Sequence, residues 1–139
     1  MNAPSGPPAA RTALVIYLSM IGAVAIALVM SVSLQAVRLF PAGATSPVLD
    51  SLPIALAAGA VLVFISVRHR LPQRRAGESE NQWWRANLPT VLTLWASAEG
   101  ASLVGAVFYL VTGAPTALAA TALGLALLAF STPSSLVNR

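Results

Sequence analysis

The chain has 139 residues, of which 57% are hydrophobic and only 9% are charged, and its mean hydropathy is +0.78. Soluble domains carry about 25% charged residues and still expose roughly a third of the unfolded surface after folding. A soluble fold of this composition would therefore leave much apolar surface in water. The absence of cysteine excludes disulfides and thiolate chemistry. The eight arginines lie mostly at the ends of apolar runs, which indicates membrane topology rather than nucleic-acid binding.

The first element is an apolar run over residues 12–37, bounded by Arg11 and Arg38. Residues 1–11 are rich in proline and small residues, and we expect them to form a disordered tail. A signal peptide would have an apolar region of only about 7–15 residues. The run is longer than that and lacks a good cleavage site, so its composition favours a retained transmembrane helix.

Three further apolar runs follow, and segments that contain proline, glycine or arginine separate them. Asp50 lies near the start of the second run, where it is expected to stabilise the first helical turn. The fourth run is short. Either Leu136 and Val137 extend it, or the helix lies tilted or shallow in the membrane. The sequence thus predicts an all-α domain over residues 12–139, with four transmembrane helices as two hairpins. The predicted spans are residues 12–37, 48–67, 87–111 and 116–132.

Residues 68–86 form the only strongly polar loop. Trp83 and Trp84 precede the third run, a position typical of interfacial anchors. Arginine favours the cytoplasmic side of a membrane, and the loop carries most of the arginines. The pattern predicts a multi-pass protein of a bacterial inner membrane with both termini cytoplasmic. The topology-setting residues are Arg68, Arg70, Arg74, Arg75 and Arg85.

Motifs of soluble enzymes are absent from the sequence. The single histidine, His69, lies between two arginines, and one histidine without cysteine cannot build a metal site. An enzyme acting on lipid would need converging groups at one membrane edge, but Asp50 falls on the opposite side from His69 and Glu78. We therefore expect a non-enzymatic protein without a cofactor or a bound metal.

Glu99 is the one ionisable residue near the middle of a predicted span. Placing it there costs about 2.5–3.5 kcal/mol on insertion scales, and no basic residue lies at similar depth. The neutral acid is expected, and it can both donate and accept a hydrogen bond. Helical spacing places Ser102 and Tyr109 on the same stripe. One interpretation is an interhelical hydrogen bond that fixes register, which we favour; the other is a proton-binding site.

Small residues surround Glu99 and recur at residues 57–60 and at Gly22 and Ala23. Small residues let helices approach closely in lipid, so these segments are predicted to be contact surfaces for the third helix, for a second copy or for another protein. The arginine-rich loop either binds anionic lipid headgroups or only sets orientation, and Glu78 and Glu80 favour the second interpretation. Membrane lipid and a homo- or hetero-oligomer are the expected partners, and nucleic acid is not.

The chain resembles small four-helix bacterial membrane proteins of uncharacterised function. They carry a similar pattern of Trp, three residues and Glu-Gly in the third span, here Trp95 with Glu99 and Gly100, followed by an apolar run and a Thr-Gly turn, here Thr112 and Gly113. The resemblance implies the four-helix fold and no particular activity. The short chain, the small extramembrane mass, the lack of a cofactor motif and the small-residue faces favour an accessory or packing subunit of a membrane oligomer or complex.

Residues 85–112 also resemble the carboxylate helix of rotary-ATPase proteolipid subunits. In that family a polar loop leads into a helix with a mid-membrane carboxylate, and a glycine often follows six residues later, as Gly105 follows Glu99. The resemblance implies that Glu99 binds a transported proton. The preceding helix departs from the family because Gly59 is its only glycine. Proton binding or translocation through Glu99 is the alternative functional hypothesis.

Overall fold

The structure of the protein is a computed structural model that describes residues 8–37 and 47–137, without the side chain of Leu49. All regular elements in these two ranges are helices, in agreement with the predicted all-α class. The helices are α1 (Ala9–Ala36), α2 (Pro47–Arg70), α3 (Glu80–Thr112), α4 (Pro115–Phe130) and a short α5 (Pro133–Val137).

Three of these helices, α1, α2 and α3, are long and apolar enough to cross a bilayer. Their outward surfaces are rich in aliphatic side chains: Val15 is 60% exposed, Ile26 63% and Leu62 67%. Such exposure is costly in water but not in lipid, where aliphatic side chains face a solvent as apolar as themselves. α4 has 16 residues and is therefore about 24 Å long, shorter than a hydrocarbon core of about 30 Å.

Helix α3 begins earlier than the predicted third span, because Ser79 and Gln82 form a capping box. The Ser79 hydroxyl accepts a hydrogen bond from the backbone N–H of Gln82, and the Gln82 side chain accepts one from the backbone N–H of Ser79. These bonds satisfy two backbone donors that a helix start leaves unpaired. The non-helical connection to α2 is consequently residues 71–79, not the whole of the predicted loop 68–86.

The N-terminal boundary also differs from the prediction. Helix α1 starts at Ala9, so residues 9–11 belong to the helix and not to a disordered tail. Arg11 is an exposed residue of its first turn. Residues 1–7 of the predicted tail, residues 38–46 between the first two predicted spans, and Arg139 lie outside the described residues, whereas Pro47 is the first residue of α2.

Helix α3 is the centre of the fold and packs against α1, α2 and α4. α4 lies against both α3 and α2, and it touches α1 only lightly. Within the described part of the chain, α1 and α2 make no extended contact, so the predicted first hairpin is antiparallel but not closely packed. Gly113, with φ of 68°, ends α3 in the left-handed conformation and permits the tight return into α4.

Four tertiary hydrogen bonds define the two ends of the bundle. At one end the Tyr17 hydroxyl donates to the carbonyl of Leu128 (3.0 Å), and a guanidinium nitrogen of Arg68 donates to the carbonyl of Phe130 (3.0 Å). At the other end Gln35 donates to the carbonyl of Leu110, and the Thr116 hydroxyl donates to the carbonyl of Asp50 (3.1 Å). Consecutive long helices therefore run in alternating directions.

A buried aromatic cluster lies at the end that contains the 71–79 connection. It joins Tyr17 of α1 with Trp83, Trp84 and Trp95 of α3, with ring centroids 5.1–6.0 Å apart. Trp83 is 1% exposed and Trp84 is fully buried, so both are core residues of the chain, and their role as interfacial anchors stays a prediction. Each indole N–H donates to an acceptor within the chain. The acceptors are the carbonyl of Pro72 for Trp83, the carboxylate of Glu80 for Trp84 and the carbonyl of Ser131 for Trp95.

Helix α5 covers this cluster instead of lengthening the fourth span. Its Leu136 and Val137 are 2% and 4% exposed and belong to the same core cluster as the tryptophans. The chain turns at Ser131, whose carbonyl accepts the 2.8 Å hydrogen bond from the Trp95 indole. The end of the bundle is therefore closed by protein side chains.

Candidate functional site

The closest packing that involves glycine lies between α3 and α4, and it depends on Gly105 and Gly124. A Cβ atom on Gly105 would lie 2.5 Å from the Thr121 hydroxyl and 2.6 Å from the carbonyl oxygen of Ala117. A Cβ atom on Gly124 would lie 2.5 Å from the carbonyl oxygen of Ala98 and would also collide with Ser102. Each helix thus presses its backbone against a glycine of the other.

The two helices achieve this contact with the same sequence pattern. Residues 98–105 (AEGASLVG) and residues 117–124 (ALAATALG) both place alanines at positions one and four, a hydroxyl residue at position five and glycine at position eight. The fourth-position alanines, Ala101 and Ala120, pack with Ala57 of α2. This short shared pattern is a sequence signal that a comparison of whole halves does not detect.

Hydroxyl groups at the fifth position of the pattern complete the α3–α4 contact. Ser102 donates within its own helix to Ala98 and across to the carbonyl of Thr121, at 3.2 Å in each case. Thr121 donates to the carbonyl of Ala117 (3.2 Å). Both residues are at most 1% exposed, so no hydroxyl is left unpaired inside this part of the core.

Glu99 lies outside this contact, at the edge of the buried face of α3. It is half-buried, and on the helix it shares a row with Leu92 and Leu103, which pack against the core cluster that includes Tyr17 of α1. The next residue, Gly100, borders open space, because a Cβ atom there would meet nothing within 4 Å. Glu99 itself is only partly covered by the described residues.

The Glu99 side chain forms no hydrogen bond with the described residues, and in this it differs from the other polar side chains near mid-span. Ser31 donates to Ala27 (2.7 Å), and Ser97 donates to Leu94 (2.8 Å). Ser102 and Thr121 are paired as described. The structure therefore satisfies its mid-span hydroxyls internally and leaves one carboxyl without a partner in the described chain.

The predicted grouping of Glu99 with Ser102 and Tyr109 is not assembled as one site. The Ser102 hydroxyl points into the α3–α4 contact, while Tyr109 is half-buried one turn before the end of α3. The spacing placed all three on one broad stripe, but α4 covers only one side of that stripe. Sequence spacing does not reveal which side a neighbouring helix will cover.

The other sequence candidates also have defined positions. His69 is exposed at the end of α2, and the described residues contain no group of three or more metal-ligating side chains. Asp50 is in the first turn of α2, and one of its carboxylate oxygens is buried without a hydrogen bond among the described residues. Ala57 packs with α3, as predicted for residues 57–60, and also with α4, but Ala58 and Gly59 are exposed. Gly22 borders open space and Ala23 is exposed.

Comparisons with protein-family models, with curated proteins and with solved structures gave no match to this chain. The fold and the composition define the class of protein: it is a helical protein of the membrane type, with three helices able to cross a bilayer and a shorter apolar one packed among them. Within this class, the half-buried carboxyl of Glu99 on the central helix is the candidate functional group.

Proposed function

We propose that this protein is a non-enzymatic accessory or packing subunit of a membrane oligomer or complex, and that Glu99 binds the neighbouring chain. The observation that carries the proposal is the carboxyl group without a hydrogen-bond partner in the described chain. An ionisable group at mid-membrane depth is costly when it faces lipid, by about 2.5–3.5 kcal/mol on insertion scales. Packing against a second protein chain removes the carboxyl group from lipid, and a hydrogen bond there offsets part of that cost.

The surface around Glu99 suits close approach by another helix. Ala96 is exposed, and Gly100 has no side chain and borders open space. Small residues allow two helix backbones to approach in lipid, where interhelical hydrogen bonds contribute about 0.6 kcal/mol on average. A neutral Glu99 carboxyl can donate and accept in the same contact.

The test compares Glu99→Gln with Glu99→Ala in the full chain, purified in mild detergent. Glutamine keeps a donor and an acceptor, so we expect Glu99→Gln to retain the oligomer or partner. Glu99→Ala should weaken association about threefold, the equivalent of one average interhelical hydrogen bond. Light scattering and analysis of co-purifying protein measure both effects, and Ser97→Ala is the matched control because its hydroxyl is paired within α3.

A monodisperse wild-type monomer without any co-purifying partner would contradict the accessory-subunit proposal. Equal weakening by Glu99→Ala and Ser97→Ala would also contradict it, since the effect would then not belong to the carboxyl group.

The second candidate function is proton binding or translocation through Glu99. The same half-buried carboxyl favours it, as does the resemblance of residues 85–112 to proteolipid helices. Glutamine cannot release a proton, so Glu99→Gln in reconstituted vesicles should abolish proton flux while the fold persists. Unchanged flux in a folded Glu99→Gln variant excludes this function. Labelling of Glu99 by a carbodiimide, which modifies protonated buried carboxyls, is a simpler check.

We further propose that four helices cross a bacterial inner membrane and that both termini are cytoplasmic. Support comes from the alternating helix directions, which bring the start of α1, the 71–79 connection and the end of α4 to one end of the bundle. That end carries Arg70, Arg74, Arg75 and Arg85, and arginine favours the cytoplasmic side. A C-terminal reporter enzyme that is active only outside the membrane would contradict this orientation.

A further inference from the structure

A cleft of about 370 Å³ lies between the end of α2 and the first half of α3, away from Glu99. Its walls combine an apolar and a polar part. The lining residues are Val67, Arg70, Pro89, Thr90 and Thr93. A cleft with this mixed lining, at the end of two apolar helices, fits a ligand that is charged at one end and apolar at the other.

The two arginines at the end of α2 have different roles. Arg68 is engaged by the protein: it donates to the carbonyl of Phe130 at the end of α4 and lies 5.9 Å from the centroid of the Phe64 ring. Arg70 is exposed, and its side chain forms no hydrogen bond with the described residues. Its guanidinium is therefore free to bind an anion in the cleft.

The two threonines of the cleft differ in the same way. The Thr93 hydroxyl donates to the carbonyl of Pro89 (3.1 Å). The Thr90 hydroxyl is half-buried and makes no hydrogen bond within the described part of the chain. Thr90 can therefore donate to a phosphate oxygen held by Arg70, whereas Thr93 has already used its proton.

Apolar surface continues from the cleft along the two helices. Val63 lies one turn before Val67 on α2 and is 45% exposed. On α3, Thr93 lines the same cleft and is exposed. This shallow, uncharged surface suits an acyl chain that lies parallel to the helices.

We propose that this cleft binds an anionic phospholipid, with its phosphate on Arg70 and Thr90 and an acyl chain along α2 and α3. Charge complementarity supports this occupant, because residues 68–85 contain five arginines and two glutamates, and basic groups at the membrane surface attract anionic lipids. The proposal depends on membrane embedding. It is independent of any role for Glu99.

The experiment measures lipid binding to the full chain in mild detergent by native mass spectrometry, with phosphatidylglycerol and phosphatidylcholine added separately. We expect the wild type to retain phosphatidylglycerol preferentially. Arg70→Gln should reduce its occupancy constant about tenfold, as expected for the loss of a charge-assisted hydrogen bond. Thr90→Val should reduce it about fivefold, as expected for the loss of a neutral one. Arg74→Gln removes the same charge outside the cleft, and Thr93→Val removes a hydroxyl that is already paired; neither should change binding more than about twofold.

Equal retention of the two lipids by the wild type would overturn the proposal, and so would equal loss of binding in Arg70→Gln and Arg74→Gln. Inorganic phosphate distinguishes a lipid site from a site for free anion. If phosphate at millimolar concentration displaces phosphatidylglycerol completely, the acyl chain contributes nothing and the lipid assignment is wrong. If Arg70→Gln does not give monodisperse protein, the comparison of Thr90→Val with Thr93→Val decides the matter.

Discussion

Gly105 and Gly124 show how single residues set the distance between α3 and α4. Each lies where any side chain would overlap the backbone or the hydroxyl of the opposite helix. The two helices cannot move apart without separating the Ser102 hydroxyl of α3 from its acceptor on α4, the carbonyl of Thr121. Small size at these two positions is therefore a requirement of the tertiary contact and not of helix formation.

We expect Gly124→Ala to lower the free energy of unfolding by about 1–3 kcal/mol, the usual cost of overpacking a close contact. Unfolding of the detergent-solubilised protein, followed by circular dichroism, measures the change. Gly22→Ala is the matched control, since its Cβ would meet nothing within 4 Å. It should cost nothing and is expected to stabilise the helix by up to about 1 kcal/mol. Equal destabilisation by both substitutions would mean that α3 and α4 do not pack as described.

Substitution of Ser102 is expected to lower the free energy of unfolding by a smaller amount at the same contact. Ser102→Ala removes the hydrogen bond to the Thr121 carbonyl and is expected to cost about 0.6–1.7 kcal/mol, the range measured for interhelical hydrogen bonds in membranes. Ser97→Ala removes only a bond within α3 and should cost less. The difference between the two unfolding free energies isolates the interhelical bond, and the absence of any difference would contradict it.

At the scale of elements, the sequence predicted the four apolar helices, but it did not predict their boundaries or the short helix α5. Charge-free runs of sufficient length predicted the apolar helices, because hydrophobicity is a property of the residues themselves. The start of α3 depends on Ser79 and Gln82, a capping-box signal visible in the sequence but hidden by its position in a polar loop. The folding of α5 onto the core depends on tertiary contacts, among them those with α1.

Substitution of Leu136 tests whether α5 covers the buried aromatic cluster. Leu136→Ala should lower the free energy of unfolding by about 2 kcal/mol, the lower end for a buried leucine. It should also shift tryptophan emission to longer wavelength, because Trp83, Trp84 and Trp95 gain contact with water. Phe130→Ala is the control, since the Phe130 side chain is 70% exposed while its carbonyl still accepts from Arg68. If the emission of both variants is unchanged, α5 does not cover the cluster.

At the scale of the whole molecule, whether α4 crosses the membrane depends on where its start and its end lie. The bond from Arg68 to Phe130 places the end of α4 beside the end of α2, and the bond from Trp95 to Ser131 places it against α3. The start of α4 follows the Gly113 turn at the opposite end. A short helix can still cross where the bilayer thins or flanking residues reach the interface.

Cysteine labelling tests this arrangement cleanly, because the chain has no native cysteine. We expect Ala114→Cys to react with a membrane-impermeant maleimide from outside intact cells. Gln73→Cys and Ser134→Cys should react only after permeabilisation. Gln73→Cys is the internal control for an intact membrane. Labelling of Ser134→Cys from the same side as Ala114→Cys, while Gln73→Cys still requires permeabilisation, would show that α4 does not cross.

From the sequence alone, the composition predicted a lipid environment and the apolar runs predicted the helical class. The sequence also located Glu99 near the middle of a predicted span. These are consequences of composition and of spacing along one chain, and they need no knowledge of neighbours. Only the tertiary structure decided which side of α3 is covered, and hence that Ser102 is paired while Glu99 is left at the edge. It also decided that Trp83 and Trp84 are core residues. Burial is a property of packing between helices, and similar side chains can face lipid or protein depending on what α1, α4 and α5 cover.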